Sequence, residues 1–130
     1  MSLDNLAQFN KEVGAFAATV PEKVSQLQAA IALEALKRIV EKTPVDTARA
    51  RGNWQTTIGT PASEVLDETD MDGMATVQKG AAAIAELPPY QVVWISNNLD
   101  YIEFLEDGSS QQSPAGMVAT TVEELRQMFK

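Results

Sequence analysis

Apolar residues in the first part of the chain recur at helical spacing. Leu3, Leu6, Phe9, Val13, Phe16 and then Val20 follow at steps of three and four, which predicts a helix over 3–18 with one apolar face. The helix is expected to pack on its own domain or to serve as an arm against a neighbour. Thr19-Val20-Pro21-Glu22 then reads as a fresh helix start, with Thr19 as cap, Pro21 in the first turn and Glu22 closing a capping box. The second helix is expected to run to about Lys42. Val24, Leu27, Ile31, Leu36, Ile39 and Val40, with Ala29, Ala30, Ala32 and Ala35 between them, give it a wide apolar face and make it the spine of the core. Lys37, Arg38 and Lys42 complement its dipole near the C-terminus. Thr43-Pro44 stops it, because a residue before proline avoids the helical region.

The period then changes. Pro44 and Asp46 suggest a turn in which Asp46 or Thr47 bonds the following amides. Residues 53–58 alternate, with Trp54, Thr56 and Ile58 on one side, as a half-buried strand does. Residues 60–72 are polar and read as a solvated acidic loop. Residues 73–86 return to helical spacing, with Met71, Met74, Val77, Ile84 and Leu87 marking one side, Asp70 or Asp72 as cap and Pro88-Pro89 as stop. The apolar run Val92–Ile95 predicts a central strand buried on both faces and paired with 53–58. Tyr101, Phe104 and Leu105 fit a short helical turn ending at Gly108. Ser113-Pro114 opens a last helix whose apolar face holds Met117 or Val118, then Val122, Leu125 and Met128 or Phe129. The expected fold class is α+β: a small β-sheet packed by a long N-terminal helical pair, a middle helix and a C-terminal helix, in one domain over 1–130.

Charge and composition narrow the function. The 130 residues carry a net charge of −8. Residues 1–63 hold six acids and seven bases, whereas residues 64–107 hold ten acids and one base, Lys79. A phosphate-binding face is basic, so this distribution argues against a nucleic-acid binder. There is no Cys and no His, which removes thiolate metal sites, disulfides and the usual general base. GxSxG, P-loop and GxGxxG patterns are absent, and the acids of 60–72 do not follow the EF-hand order. The carboxylate pairs Glu103 with Glu106 and Glu123 with Glu124 fall on predicted exposed faces, where nothing raises one pKa for acid catalysis. No catalytic role, cofactor or metal is expected, and composition and spacing alone leave the function of the domain open. The opening MSLDNLAQFNKEV lacks a basic region followed by an apolar run, so no signal peptide is expected.

Two segments carry a resemblance. TPVDTARARGNWQTTIG, residues 43–59, resembles the TPVDTG-like turn, arginine and Trp-containing strand of minor tail components of long-tailed bacteriophages. NNLDYIEFLEDGSSQQSPAGMV, residues 97–118, resembles their Asn-rich strand end, Tyr-Ile-Glu turn, polar loop and Pro-Ala-Gly-Met-Val helix start. Together, over residues 20–129, the chain is similar to tail-completion (neck) proteins. It departs from them at Ala48, where Gly is common, and at Asp100, where Pro is frequent.

The resemblance implies a virion protein assembled in the host cytoplasm: a subunit of a six-copy ring between the head connector or stopper and the tail terminator, around passing DNA. Arg49, Arg51, Trp54, Tyr101, Phe104, Ser109, Ser110, Gln111 and Gln112 are then candidate subunit contacts. Glu64, Asp67, Glu68, Asp70, Asp72, Glu103, Glu106 and Asp107 are candidate channel-lining acids that keep DNA sliding. On this view 97–118 is a docking segment, anchored by Tyr101–Leu105, whose polar loop orders against a neighbouring ring. A tail terminator or head-closure subunit is the alternative within the same class. A small acidic inhibitor or DNA mimic is the alternative outside it.

Overall fold

The computed structural model describes residues 3–45, 48–107 and 116–129, with side chains described from Pro21 onward. Among these residues the order is α1 (Leu3–Lys42), α2 (Arg49–Gly52), β1 (Gln55–Ile58), α3 (Met74–Ile84), β2 (Val93–Ser96), α4 (Ile102–Glu106) and α5 (Met117–Met128). The fold class is α+β, as the sequence predicts. No helix among the described residues is long and apolar enough to cross a membrane.

The N-terminal helical pair is instead one helix of 40 residues with Pro21 inside it. A proline costs an interior helix one backbone bond and some strain. The flanking runs, rich in Ala, Leu and Glu, favour helix strongly enough to carry the chain through. The stop at Thr43-Pro44 holds: α1 ends at Lys42, and the Thr43 hydroxyl donates to the Ile39 carbonyl at 2.6 Å.

β1 and β2 pair antiparallel, with Gln55 opposite Ser96 and Ile58 opposite Val93. The sheet has only these two strands among the described residues. The expectation that 92–95 forms a central strand buried on both faces therefore fails. The pairing register places Val93 and Ile95 with Thr56 and Ile58 on one face, and Ile95 packs on the core. Trp94 and Val92 are exposed, Trp94 donating its indole N–H to the Gly59 carbonyl at 2.9 Å. An unbroken apolar run here marks a strand with one buried face and one apolar outer face.

The core joins Leu36, Ile39 and Val40 of α1 to Trp54 and to Met117 of α5, with Val77, Ile95, Ile102 and Leu105 packed around them. α3 closes on this core along Thr76, Gly80 and Ile84. A Cβ at Gly80 would overlap the Leu36 side chain and approach the Thr56 hydroxyl to 2.9 Å, so glycine sets how closely α3 approaches α1 and β1. Met71 and Met74, expected on the inner side, are exposed. Helix α3 begins only after Gly73, a left-handed residue that turns the chain before the helix is established. Both carboxylates named as caps work there. Asp70 accepts from the Gly73 amide, the Thr76 amide and the Thr76 hydroxyl, and Asp72 accepts from the Met74 amide.

α5 contradicts its predicted apolar face in part. It starts at Met117 after Gly116, and its fully buried residues are Met117 and Thr121, while Val118, Val122, Met128 and Phe129 are exposed. The inner face is held by polar groups. Glu124 bridges Arg38 at 3.1 Å and Lys42, and the Lys42 ammonium also donates to Thr121 at 2.8 Å. Lys42, with burial opposing and Arg38 adding, holds the Glu124 carboxyl below its ordinary range. Thus two of the three cations expected to complement the α1 dipole, Arg38 and Lys42, also tie α1 to α5. The expected Pro114 start, the Gly108 cap and the Asp46–Thr47 turn bonds lie outside the described residues, as does the loop Ser109–Gln112.

Candidate functional site

The segments 43–59 and 97–107 come together at α2. Residue 48 enters it with φ 56°, in the left-handed region. An alanine there carries a cost of about 1–2 kcal/mol that a glycine escapes. The φ > 0 requirement is kept although the glycine is not. Hydrogen bonds hold the strained turn: Ala48 N–H donates to Val45 O at 3.0 Å, and Ala48 O accepts from Gly52 N at 3.3 Å and Asp70 N at 2.9 Å.

Arg51 points inward. Its guanidinium donates to the carbonyls of Thr43 at 2.8 Å, Met71 at 2.9 Å and Glu41 at 3.1 Å. Two of these acceptors belong to the C-terminal end of α1, where carbonyls lack helical partners and favour a cation. Arg51 thus caps α1 and ties it to the loop before α3. The partner arginine, Arg49, is half-exposed and lies 3.8 Å from the fully exposed Asp67. Trp54, 7% exposed, sits in the core and donates its indole N–H to the buried Thr43 hydroxyl at 2.9 Å. Of the candidate subunit contacts, Trp54 is therefore buried inside the domain, and half-buried Arg51 is engaged by carbonyls of its own chain. A short arginine pair and a strand tryptophan look alike from sequence whether they face a neighbour or their own chain.

Sequence reasoning missed Asn53. It is fully buried, donates to the carbonyls of Arg49 and Leu66 at 2.9 Å each, and accepts the Leu66 amide at 2.7 Å. Asn97 donates to Ala50 O at 2.9 Å, and Asn98 donates to Ala62 O and Glu64 O at 2.9 and 3.0 Å. Gln55 also donates to Glu64 O at 2.8 Å. The one available signal was asparagine at the head of a strand, where it is disfavoured unless its side chain bonds backbone.

These bonds change the reading of 60–72. The expected solvated loop is pinned through its backbone at Ala62, Glu64, Leu66 and Asp70. Glu64, Asp67 and Glu68 are exposed on this fixed support, with Lys79 paired to Glu68. Asp70 is instead turned to the start of α3, while Asp72 accepts the Met74 amide and stays exposed. For Asp70, burial disfavours the charge, but hydrogen bonds from Thr76 and Gly73 outweigh it and hold the carboxyl below its ordinary value. Glu106 is likewise spent on a helix start, accepting the amides of Val118 at 2.8 Å and Ala119 at 3.2 Å. Glu103 and Asp107 are exposed. Of the candidate acids, Glu64, Asp67, Glu68, Asp72, Glu103 and Asp107 are exposed.

In the 101–105 turn, Ile102 and Leu105 pack against the core, Tyr101 is half-buried and Phe104 is 68% exposed. The turn is anchored by its aliphatic residues, and its phenylalanine is presented outward. Ser109, Ser110, Gln111 and Gln112 lie outside the described residues. Among the described residues no cluster of acids is arranged to hold a metal ion. No family model, curated protein or solved structure matches the chain.

Proposed function

We propose that this chain is a structural virion protein: a subunit of a homo-oligomeric ring, six copies, at the head–tail junction of a long-tailed bacteriophage. There it completes the tail or joins it to the head connector and surrounds the DNA channel. The supporting observation is the union of the two segments that carry the resemblance. β1 of the first pairs with β2, which ends at Ser96 immediately before the second, and Asn97 bonds α2 through Ala50 O. A turn signature and a strand-end signature 40 or so residues apart thereby form one rigid unit, with Phe104 presented outward on the adjoining turn.

The pinned acids suit a channel wall. Carboxylates that cannot fold away repel phosphates within a Debye length of about 8 Å at physiological salt, so DNA passes without sticking. In a ring, contacts are heterologous, and on this reading half-exposed Arg49 meets an acidic surface of the next subunit.

Locating the protein in intact virions tests the reading. Cryo-electron microscopy with six-fold averaging at the neck is expected to fit this fold into a ring around the DNA. Finding the protein at the tail tip, or missing from purified virions, refutes the proposal. A ring in direct contact with the tail tube alone reassigns the subunit as a tail terminator.

A further inference from the structure

The apolar stripe of α1 is longer than the part of the helix that reaches the core. Leu3, Leu6, Phe9, Val13, Phe16, Val20, Val24, Leu27 and Ile31 follow one another at steps of three or four, with a mean of 3.5 residues. That is the period of a coiled-coil seam, sustained here for about four heptads. All nine positions lie within the single helix Leu3–Lys42. At 1.5 Å per residue this helix is about 60 Å long. A compact domain of this size has a radius of gyration of only about 14 Å. Toward its C-terminal end α1 turns Leu36, Ile39 and Val40 into the core. At the end of the stripe whose side chains are described, Val24 and Ile31 are only half-buried. Leu27 is 55% exposed, and Val24, Leu27 and Ile31 line an open trough of about 400 Å³ with Gln28, Tyr90 and Gln91. Tyr90, at its rim, is 67% exposed.

The spacing of the stripe reads almost the same in both directions. Leu6 with Leu27, Phe9 with Val24 and Val13 with Val20 share one sum of residue numbers, and in that register Leu3 comes within one residue of Ile31 and Phe16 within one residue of itself. Such a stripe matches an antiparallel copy of itself. The charges agree. Glu12 immediately precedes the seam residue Val13, and Lys23 immediately precedes Val24. Antiparallel pairing sets these two flanking positions against each other, twice per pair. A parallel pair sets Glu12 against Ala17 and Lys23 against Gln28 instead.

We infer that α1 is a self-association element, binding antiparallel to the α1 of a second copy, so that the start of each helix fills the trough at Val24–Ile31 and Tyr90 of the other. The seam places nine apolar residues along about 29 positions of each partner. The contact is isologous and closes at two copies, unlike the heterologous contacts of a ring. It does not rest on the neck reading and stands or falls separately.

The full chain in sedimentation equilibrium at micromolar concentration is expected to be a dimer. Leu27→Glu replaces an exposed residue and is expected to weaken dimerisation at least about tenfold without changing the helical circular dichroism. Glu12→Lys and Lys23→Glu each weaken it, and the double exchange restores it. The chain has no cysteine, so Phe16→Cys is expected to give an interchain disulfide with oxidised glutathione and Leu3→Cys is not. A monomer at all concentrations, a dimer indifferent to Leu27→Glu, failure of the double exchange to restore pairing, or equal cross-linking at both cysteine positions overturns the inference.

Discussion

The two segments that carry the resemblance do opposite work. Residues 43–59 turn their distinctive side chains inward: Arg51 onto three carbonyls, Trp54 onto Thr43, and Asn53 onto Leu66 and Arg49. Residues 97–107 fix themselves with Asn97, Asn98, Ile102 and Leu105 and leave Phe104 68% exposed. A polar signature that reads as a binding surface is thus a frame, and an aromatic turn that reads as an anchor is a presented surface. The difference follows from where backbone groups are left unpaired. The end of α1, the left-handed entry to α2 and the irregular 60–72 loop expose carbonyls and amides inside the fold, and buried polar groups must be bonded.

Substitutions in the frame break the comparison most strongly. Trp54→Ala is expected to cost about 3–5 kcal/mol, since it empties a core position and strips the Thr43 hydroxyl of its donor. Asn53→Ala leaves the Leu66 amide and carbonyl and the Arg49 carbonyl without this partner, and is expected to cost about 3 kcal/mol. Denaturant titration measures both. A loss under about 1 kcal/mol for either would remove the frame from the account.

The sequence showed the large periodic features and missed the polar ones. The α1 stop at Thr43-Pro44, the α3 span and its two aspartate caps, and the strand pairing were legible because spacing, proline and capping chemistry act locally. The run through Pro21 was not, because local helix propensity outweighed a single breaker. The inner face of α5 was misjudged since Thr121 and Glu124 bond Lys42 across the fold, a contact between residues far apart in sequence. Of the candidate site, the exposure of Phe104 and the turning inward of Arg51 and Trp54 depend on tertiary partners, and no period in the chain encodes them.

An acid titration probes the frame more gently. Asp70 has a folded-state pKa lowered from its ordinary value near 3.8. Its ionised form therefore adds stability that is fully present above that ordinary value and is lost as pH falls through the lowered one. Asp70→Asn is expected to lower stability at neutral pH and to flatten the acid limb of the stability profile. Glu124 contributes with the same sign, so some acid dependence persists in the variant. An unchanged acid limb in Asp70→Asn would mean that the Thr76 and Gly73 bonds do not favour the ionised carboxyl.

The smallest effect on stability is expected where the effect on assembly is largest. Phe104 is 68% exposed, so Phe104→Ser removes little buried area and is expected to change unfolding by no more than about 0.5 kcal/mol. Exposed aromatic residues contribute to binding when a partner covers them, and a presented phenylalanine removed from a ring contact costs affinity that the isolated subunit never shows. The variant should fold, with the thermal midpoint of the parent, and fail to incorporate when supplied in place of the parent chain during virion assembly. Incorporation at the parent level would mean that the turn is surface without a partner, and the contrast between frame and presented surface would lose its functional half. Loss of folding would mean that the ring of Phe104 supports the turn from outside, which makes 97–107 a second frame.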